Sequence, residues 1–146
     1  MTGAEKSGLA AANPLLYENA VYLLTNVNHD SKNRIESTLF PVLNSIKARL
    51  MLLDAETHDK IMAAISHVPQ VLAVALVNMI GEMEASEEPY FELAAGGFRD
   101  MTRVASSSFS IWEDIIASNQ INVEETLAKL IAILSSYKSR LGNLSH

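Results

Sequence analysis

Asn19-Ala-Val-Tyr-Leu-Leu-Thr25 and Arg49-Leu-Met-Leu-Leu53 bracket a stretch in which apolar residues recur at Ile35, Leu39, Val42, Leu43 and Ile46. Each bracketing run is short, apolar and bounded by polar residues, the pattern of a strand buried on both faces. Between them, Asn26 to Asp30 reads as a loop, and the spacing from Ser31 onward is one face of a helix. Pro41 lies inside that face and predicts a kink or a shifted boundary. Strand, helix and strand over about 35 residues make one parallel βαβ crossover. A parallel sheet needs more strands than two, and a cover on both faces. The unit is therefore expected to be the edge of something larger, or to be completed by another chain.

On the N-terminal side, residues 1–19 read as loop with a turn of helix around Gly8 to Asn13. On the C-terminal side everything reads helical. Asp54 is placed to cap a helix running to about Val68, with Pro69 in the first turn of the next. Val71 to Met83 is apolar on nearly every side, the mark of a central helix buried all round. Glu82, Glu84, Glu87, Glu88 and Glu92 follow as a solvated helix end and loop. A metal site is the alternative there, but no His is nearby in sequence to complete it, and no metal ligands are assigned. Gly96-Gly97 breaks the chain before Phe98 to Ser106, and Ser108 caps a helix through Ile111, Trp112, Ile115 and Ile116. Asn122 and Glu125 are spaced as a capping pair for the last helix. Its stripe, Val123, Leu127, Leu130, Ile131, Leu134, Tyr137 and Leu141, suits packing on a partner helix in this chain or another, and Gly142 ends it. The fold class is mainly α, a helical domain (54–146) preceded by a small βαβ unit (1–53).

The chain has 146 residues, 49% hydrophobic, with seventeen acidic and eleven basic residues and a net charge of −6. One domain, or one domain plus part of another, fits that length. The acidic balance argues against a nucleic-acid surface, which needs surplus Lys and Arg. No cysteine is present, which removes disulfides, Cys-type zinc sites and cysteine nucleophiles. Val71 to Ile80, interrupted by Asn78, is too short to cross a bilayer, which takes about 20 residues. Met1 to Gly8 lacks the apolar core of a signal peptide. A soluble cytoplasmic protein with no membrane or nucleic-acid partner is expected.

Glycines lie at 3, 8, 81, 96, 97 and 142, so no Gly-x-Gly-x-x-Gly fingerprint and no phosphate loop can be written. His58-Asp59 is similar to the His-Asp pair of metal phosphohydrolases, but the other ligands of such a site have no counterpart. His67 stands just before Pro69, where a bend can turn its ring toward a cavity; a hydrogen-bonded structural His is the alternative. Asp100 and Arg103 are three apart and share a helix face. They follow Gly96-Gly97, where a ligand can approach the backbone and a helix start offers N–H groups to an anion. Arg103 adds a planar two-pronged donor matched to a carboxylate, with Asp100 able to orient it. A small carboxylate site near Gly97 to Arg103 is one reading, and a local ion pair is the other. Trp112, the single Trp, reads as core.

Glu5-Lys-Ser-Gly8, Leu16-Tyr-Glu-Asn19, His58-Asp59, Ser66-His-Val-Pro69, Gly96-Gly-Phe-Arg-Asp-Met-Thr-Arg103 and Ile111-Trp112 occur in this order and spacing. With them the chain resembles the prephenate dehydrogenase family of tyrosine biosynthesis over essentially its whole length. The resemblance implies an N-terminal Rossmann domain for NAD or NADP, a C-terminal helical domain forming an interlocked homodimer, and an active site between them. The implied reaction is oxidative decarboxylation of prephenate to 4-hydroxyphenylpyruvate. Residue by residue, Arg103 resembles the family's substrate-carboxylate clamp, Asp100 its support, and His67 the pocket histidine of the Ser-His-x-Pro motif. Gly97 belongs to the same segment, and Glu5 and Ser7 match the loop at the domain junction. Gln70 stands where many relatives have a second His.

The resemblance also implies that the catalytic His and the dinucleotide fingerprint belong upstream of Met1. Residues 1–53 would then be the last part of a truncated Rossmann domain, and no catalytic residue and no bound cofactor are expected in this chain alone. Two other functions stay open: an arogenate dehydrogenase, and a non-catalytic helical dimer or ligand-sensing module.

Overall fold

The computed structural model describes residues 8–25, 33–84 and 88–143. Glu5, Ser7, the loop from Asn26 to Asp30, the helix start at Ser31, and Glu87 lie outside the described residues. The chain divides into two compact units, Met1–His58 and Asp59–His146.

In the first unit a 3₁₀ turn at Leu9–Ala11 precedes strand β1, Val21–Thr25. A wide π-helical turn, Ile35–Leu39, runs into helix α1, Phe40–Ser45, and strand β2, Arg49–Leu53, follows. β1 and β2 pair in parallel, from Val21 opposite Arg49 to Thr25 opposite Leu53, as a βαβ crossover requires. Helix α1 ends in a Schellman turn: Lys47 N–H bonds the Asn44 carbonyl and Ala48 N–H the Leu43 carbonyl, each at 3.0 Å. Lys47 occupies the left-handed position of that turn (φ 55°), where glycine is the unstrained choice. Asn19 is left-handed too (φ 61°), and its N–H donates to the Lys47 carbonyl, so the two turns launch the strands side by side. The strands are not buried on both faces as their composition predicts. Val21, Met51 and Leu52 are exposed, because among the described residues this unit supplies two strands and one short helix, too little to cover both faces.

From Asp54 the chain is helical. Asp54 Oδ1 accepts the Thr57 N–H at 2.8 Å, the N-cap that the sequence calls for. Helix α2, Ala55–Met62, a second π-helical turn, Ala63–His67, and helix α3, Val68–Glu84, form one continuous helix. The expected break at Val68 is therefore corrected. Proline lacks an N–H and clashes with the carbonyl four residues back. The chain accommodates Pro69 by widening the preceding turn, so that Val68 N–H reaches the Ala63 carbonyl five residues away. Pro41 is handled identically, with Phe40 N–H on the Ile35 carbonyl. Without a break, Ala55–Glu84 is thirty residues and is long and apolar enough to cross a membrane. That corrects the estimate from Val71 to Ile80 alone.

Helix α4, Gly96–Thr102, runs into a 3₁₀ turn, Arg103–Ser106, and helices α5, Phe109–Ser118, and α6, Gln120–Gly142, complete the second unit. Ser108 is the N-cap residue of α5, although its hydroxyl meets Ser110 Oγ instead of a backbone N–H. Helix α6 starts before the Asn122–Glu125 pair, with Asn119 at its N-cap. Asn122 instead donates to Asn119 Oδ1 at 2.7 Å. The core gathers Ala63, Val68 and Val123, flanked by Ile116, Leu127 and Leu130. Ala63 is 0% exposed: its small side chain admits α6 close to the π turn. Helix α3 is not buried all round, for Val74, Met79 and Met83 are exposed in this chain. The outer half of the α6 stripe, Ile131, Leu134, Tyr137 and Leu141, is likewise uncovered.

Candidate functional site

The long helix organises the candidate residues. The widened turn before Pro69 ends on His67, and Gln70 lies one helical turn further on, both facing inward (7% and 4% exposed). Helix α4 and the turn Arg103–Ser106 pack against α3. The structure thus brings His67 and Gln70 together on the inner side of the helix, while Gly97, Asp100 and Arg103 stand on the neighbouring segment. Asp100 and Arg103 are exposed.

Two residues outside the predicted set contact His67. Asn119, 6% exposed, donates through Nδ2 to the Asp59 backbone carbonyl at 2.7 Å and lies 3.3 Å from His67 Nδ1. Trp112 packs edge-to-face on the imidazole, ring centroids 6.2 Å apart at 80°. Trp112 reads as core in the sequence and gains a specific partner here. Asn119 carried no sequence signal, because its partners are 52 and 60 residues away. Gln70 Oε1 is buried without a hydrogen-bond partner among the described residues. A buried orphan acceptor costs about 1–3 kcal/mol, which a ligand donor would recover.

The double glycine needs no left-handed backbone, and a Cβ at either position would meet open space. A cavity of about 320 Å³ adjoins it, lined by Ile80, Tyr90, Leu93, Ala95, Gly97 and Phe98. At its rim Tyr90 donates its hydroxyl to Glu88, and that bond, with some loss of hydration, raises the phenol above its ordinary pKa of 10.0. A second cleft, about 420 Å³ and largely apolar, opens between α5 and α6 against Phe109, Trp112, Ile116, Gln120 and Val123. Among the described residues no group of three or more His, Cys, Asp or Glu could hold a metal ion, the acidic segment after α3 and His58-Asp59 included.

A dinucleotide phosphate binds at a strand-to-helix connection, and the one after β2 is short. It consists of Asp54, whose carboxylate already occupies the N-terminus of α2 where a phosphate would sit. Gly8, the glycine with positive φ (92°), opens a single 3₁₀ turn. Neither position offers the open helix N-terminus after a glycine-rich turn that holds a dinucleotide phosphate.

A family model described as prephenate dehydrogenase, dimerization domain, matches residues 54–143. Prephenate dehydrogenase of Bacillus subtilis (strain 168) is 40% identical over 120 residues, 82% of this chain and 32% of the relative. Cyclohexadienyl dehydrogenase of Zymomonas mobilis is 31% identical over 144 residues, 98% of this chain and 49% of the relative. Among solved structures, prephenate dehydrogenase from A. aeolicus in complex with hydroxyphenyl propionate and NAD+ superposes with a TM-score of 0.85 at 28% identity. The match covers 98% of this chain and 50% of that one. The chain thus spans between a third and a half of the length of these relatives. Together these matches cover the helices that carry His67, Gln70, Gly97, Asp100 and Arg103, and the chain belongs to the prephenate dehydrogenase dimerization-domain family.

Proposed function

We propose that this chain supplies the substrate-carboxylate side and the dimer core of a cytoplasmic, NAD(P)-dependent prephenate dehydrogenase, the enzyme that oxidatively decarboxylates prephenate to 4-hydroxyphenylpyruvate. The observation that carries the reading is the exposed position of Arg103 at the end of the helix that the open double glycine begins, a segment packed against the helix of His67 and Gln70. A guanidinium there offers two parallel N–H donors to a carboxylate. Asp100, three residues earlier on the same segment, is read as its support, and the glycines leave room for the ligand's body. The relative from A. aeolicus carries a hydroxyphenyl acid together with NAD+, a ligand of the same class. In this chain residues 1–53 are read as the end of the dinucleotide-binding domain and 54–146 as the substrate and dimerisation domain.

The uncovered apolar residues of α3 and α6 support a homodimer in which each chain covers the other. The same cover accounts for the apolar length of Ala55–Glu84 without a bilayer. Titrating 4-hydroxyphenylpyruvate into the chain tests the reading: saturable binding with one acid per chain is expected, and no binding favours the non-catalytic dimer module.

One observation favours a second substrate. Among the described residues Gln70 Oε1 is an acceptor without a donor, and the side-chain amine of arogenate is a donor where the keto oxygen of prephenate is not. Relative rates on the two substrates, measured in the complete enzyme with Gln70→Leu as control, decide between them.

A further inference from the structure

We infer that Asn119 is a positioning residue that holds His67 as the neutral tautomer protonated on Nε2. The inference rests on reading His67 as the pocket histidine. Its support is a chain of hydrogen bonds whose polarity allows one solution. The Asp59 backbone carbonyl can only accept, and the Asn119 amide atom 2.7 Å from it must therefore be the nitrogen. That fixes the amide orientation, and Asn122, donating to Asn119 Oδ1 at 2.7 Å, fits the same choice. The second proton of Nδ2 then points to His67 Nδ1, 3.3 Å away. A ring nitrogen facing a donor must be the unprotonated one, which leaves the imidazole proton on Nε2.

The arrangement is anchored at every step. Asn119 takes the N-cap position of α6, Asp59 belongs to α2, and His67 closes the widened turn forced by Pro69, so one amide ties three elements to a single ring orientation. Trp112 holds the ring from a second direction. Burial of Asn119 and His67 excludes bulk water, which would otherwise let both tautomers interchange. Nε2 is then the donor of the ring, and an acceptor such as a carboxylate or carbonyl oxygen is the group it would pair with.

Long-range ¹H–¹⁵N correlation spectra of the ¹⁵N-labelled 146-residue chain test this directly. His67, assigned by comparison with His67→Gln, should show an unprotonated Nδ1 and a protonated Nε2. Asn119→Ala should give a mixture of tautomers, and Asn119→Asp, which offers only an acceptor, should move the proton to Nδ1. A wild-type spectrum with the proton on Nδ1, or an even mixture, overturns the inference, as does an unchanged tautomer in a folded Asn119→Ala. Should either variant fail to fold, the wild-type spectrum alone decides. The readout is independent of ligand: absence of 4-hydroxyphenylpyruvate binding would count against the proposed function while leaving the tautomer measurable.

Discussion

Trp112 meets His67 edge-to-face with ring centroids 6.2 Å apart, and it is the only Trp in the chain. Such pairs are worth about 0.5–1.5 kcal/mol beyond the area they bury. A double-mutant cycle of His67→Ala and Trp112→Ala, read by chemical denaturation, should return a coupling in that range. Simple additivity would make the ring contact incidental.

Ala63 sits at the centre of the small core with no exposed surface, against Val68 and Val123. A larger residue has nowhere to go, since α6 packs directly on this turn. Ala63→Leu is expected to destabilise the fold by about 1–3 kcal/mol, the cost of overpacking. Val123→Ala, which leaves a void instead, should cost about 1.5–3 kcal/mol. Thermal unfolding of both variants checks the pair.

Lys47 holds a left-handed conformation that costs a side-chain residue about 1–2 kcal/mol. Its ion pair with Glu18, 2.7 Å long on a largely exposed lysine, returns little. Lys47→Gly should therefore stabilise the first unit, by roughly 0.5–1 kcal/mol, in urea titrations. A loss of stability would assign the ion pair more weight than its exposure suggests.

The Asp54 cap, the bounds of β2, the position of Ser108 and the parallel crossover were legible because each depends on neighbours a few residues away. The helical turn at Leu9–Ala11 was legible for the same reason. What local pattern missed depends on contacts across the fold. Pro69 predicts an ending, but a continuous helix with one wide turn keeps Ala63, His67, Gln70 and Ala73 buried together on one face. Asn119 takes the N-cap position of α6 ahead of the better-spaced Asn122, and its amide turns to Asp59 and His67 across the core instead of capping the helix. The all-apolar character of Val71 to Met83 predicts full burial, and only the inward positions find cover within one chain. Of the candidate site, the identities of His67, Gln70 and Arg103 were readable from motif likeness, whereas Asn119 became visible only through distances.

The uncovered stripe of α6 leads to an oligomerisation prediction. Leu134 and Tyr137 lie on its outer half, both about half exposed. The wild-type chain should sediment as a dimer. Leu134→Glu with Tyr137→Glu should weaken association by about 2–4 kcal/mol, the scale of buried interface anchors, and give monomer at micromolar concentration. A double variant that remains dimeric would move the interface elsewhere.

Arg103 carries the functional reading, and calorimetric titration of 4-hydroxyphenylpyruvate into wild type and Arg103→Ala tests it most directly. Loss of a charge-assisted bidentate contact should weaken binding by about 1.5–3 kcal/mol, a drop of roughly ten- to 150-fold, with the fold and dimer unchanged. Equal affinity in the two proteins would contradict the account and return Arg103 to the role of a surface residue.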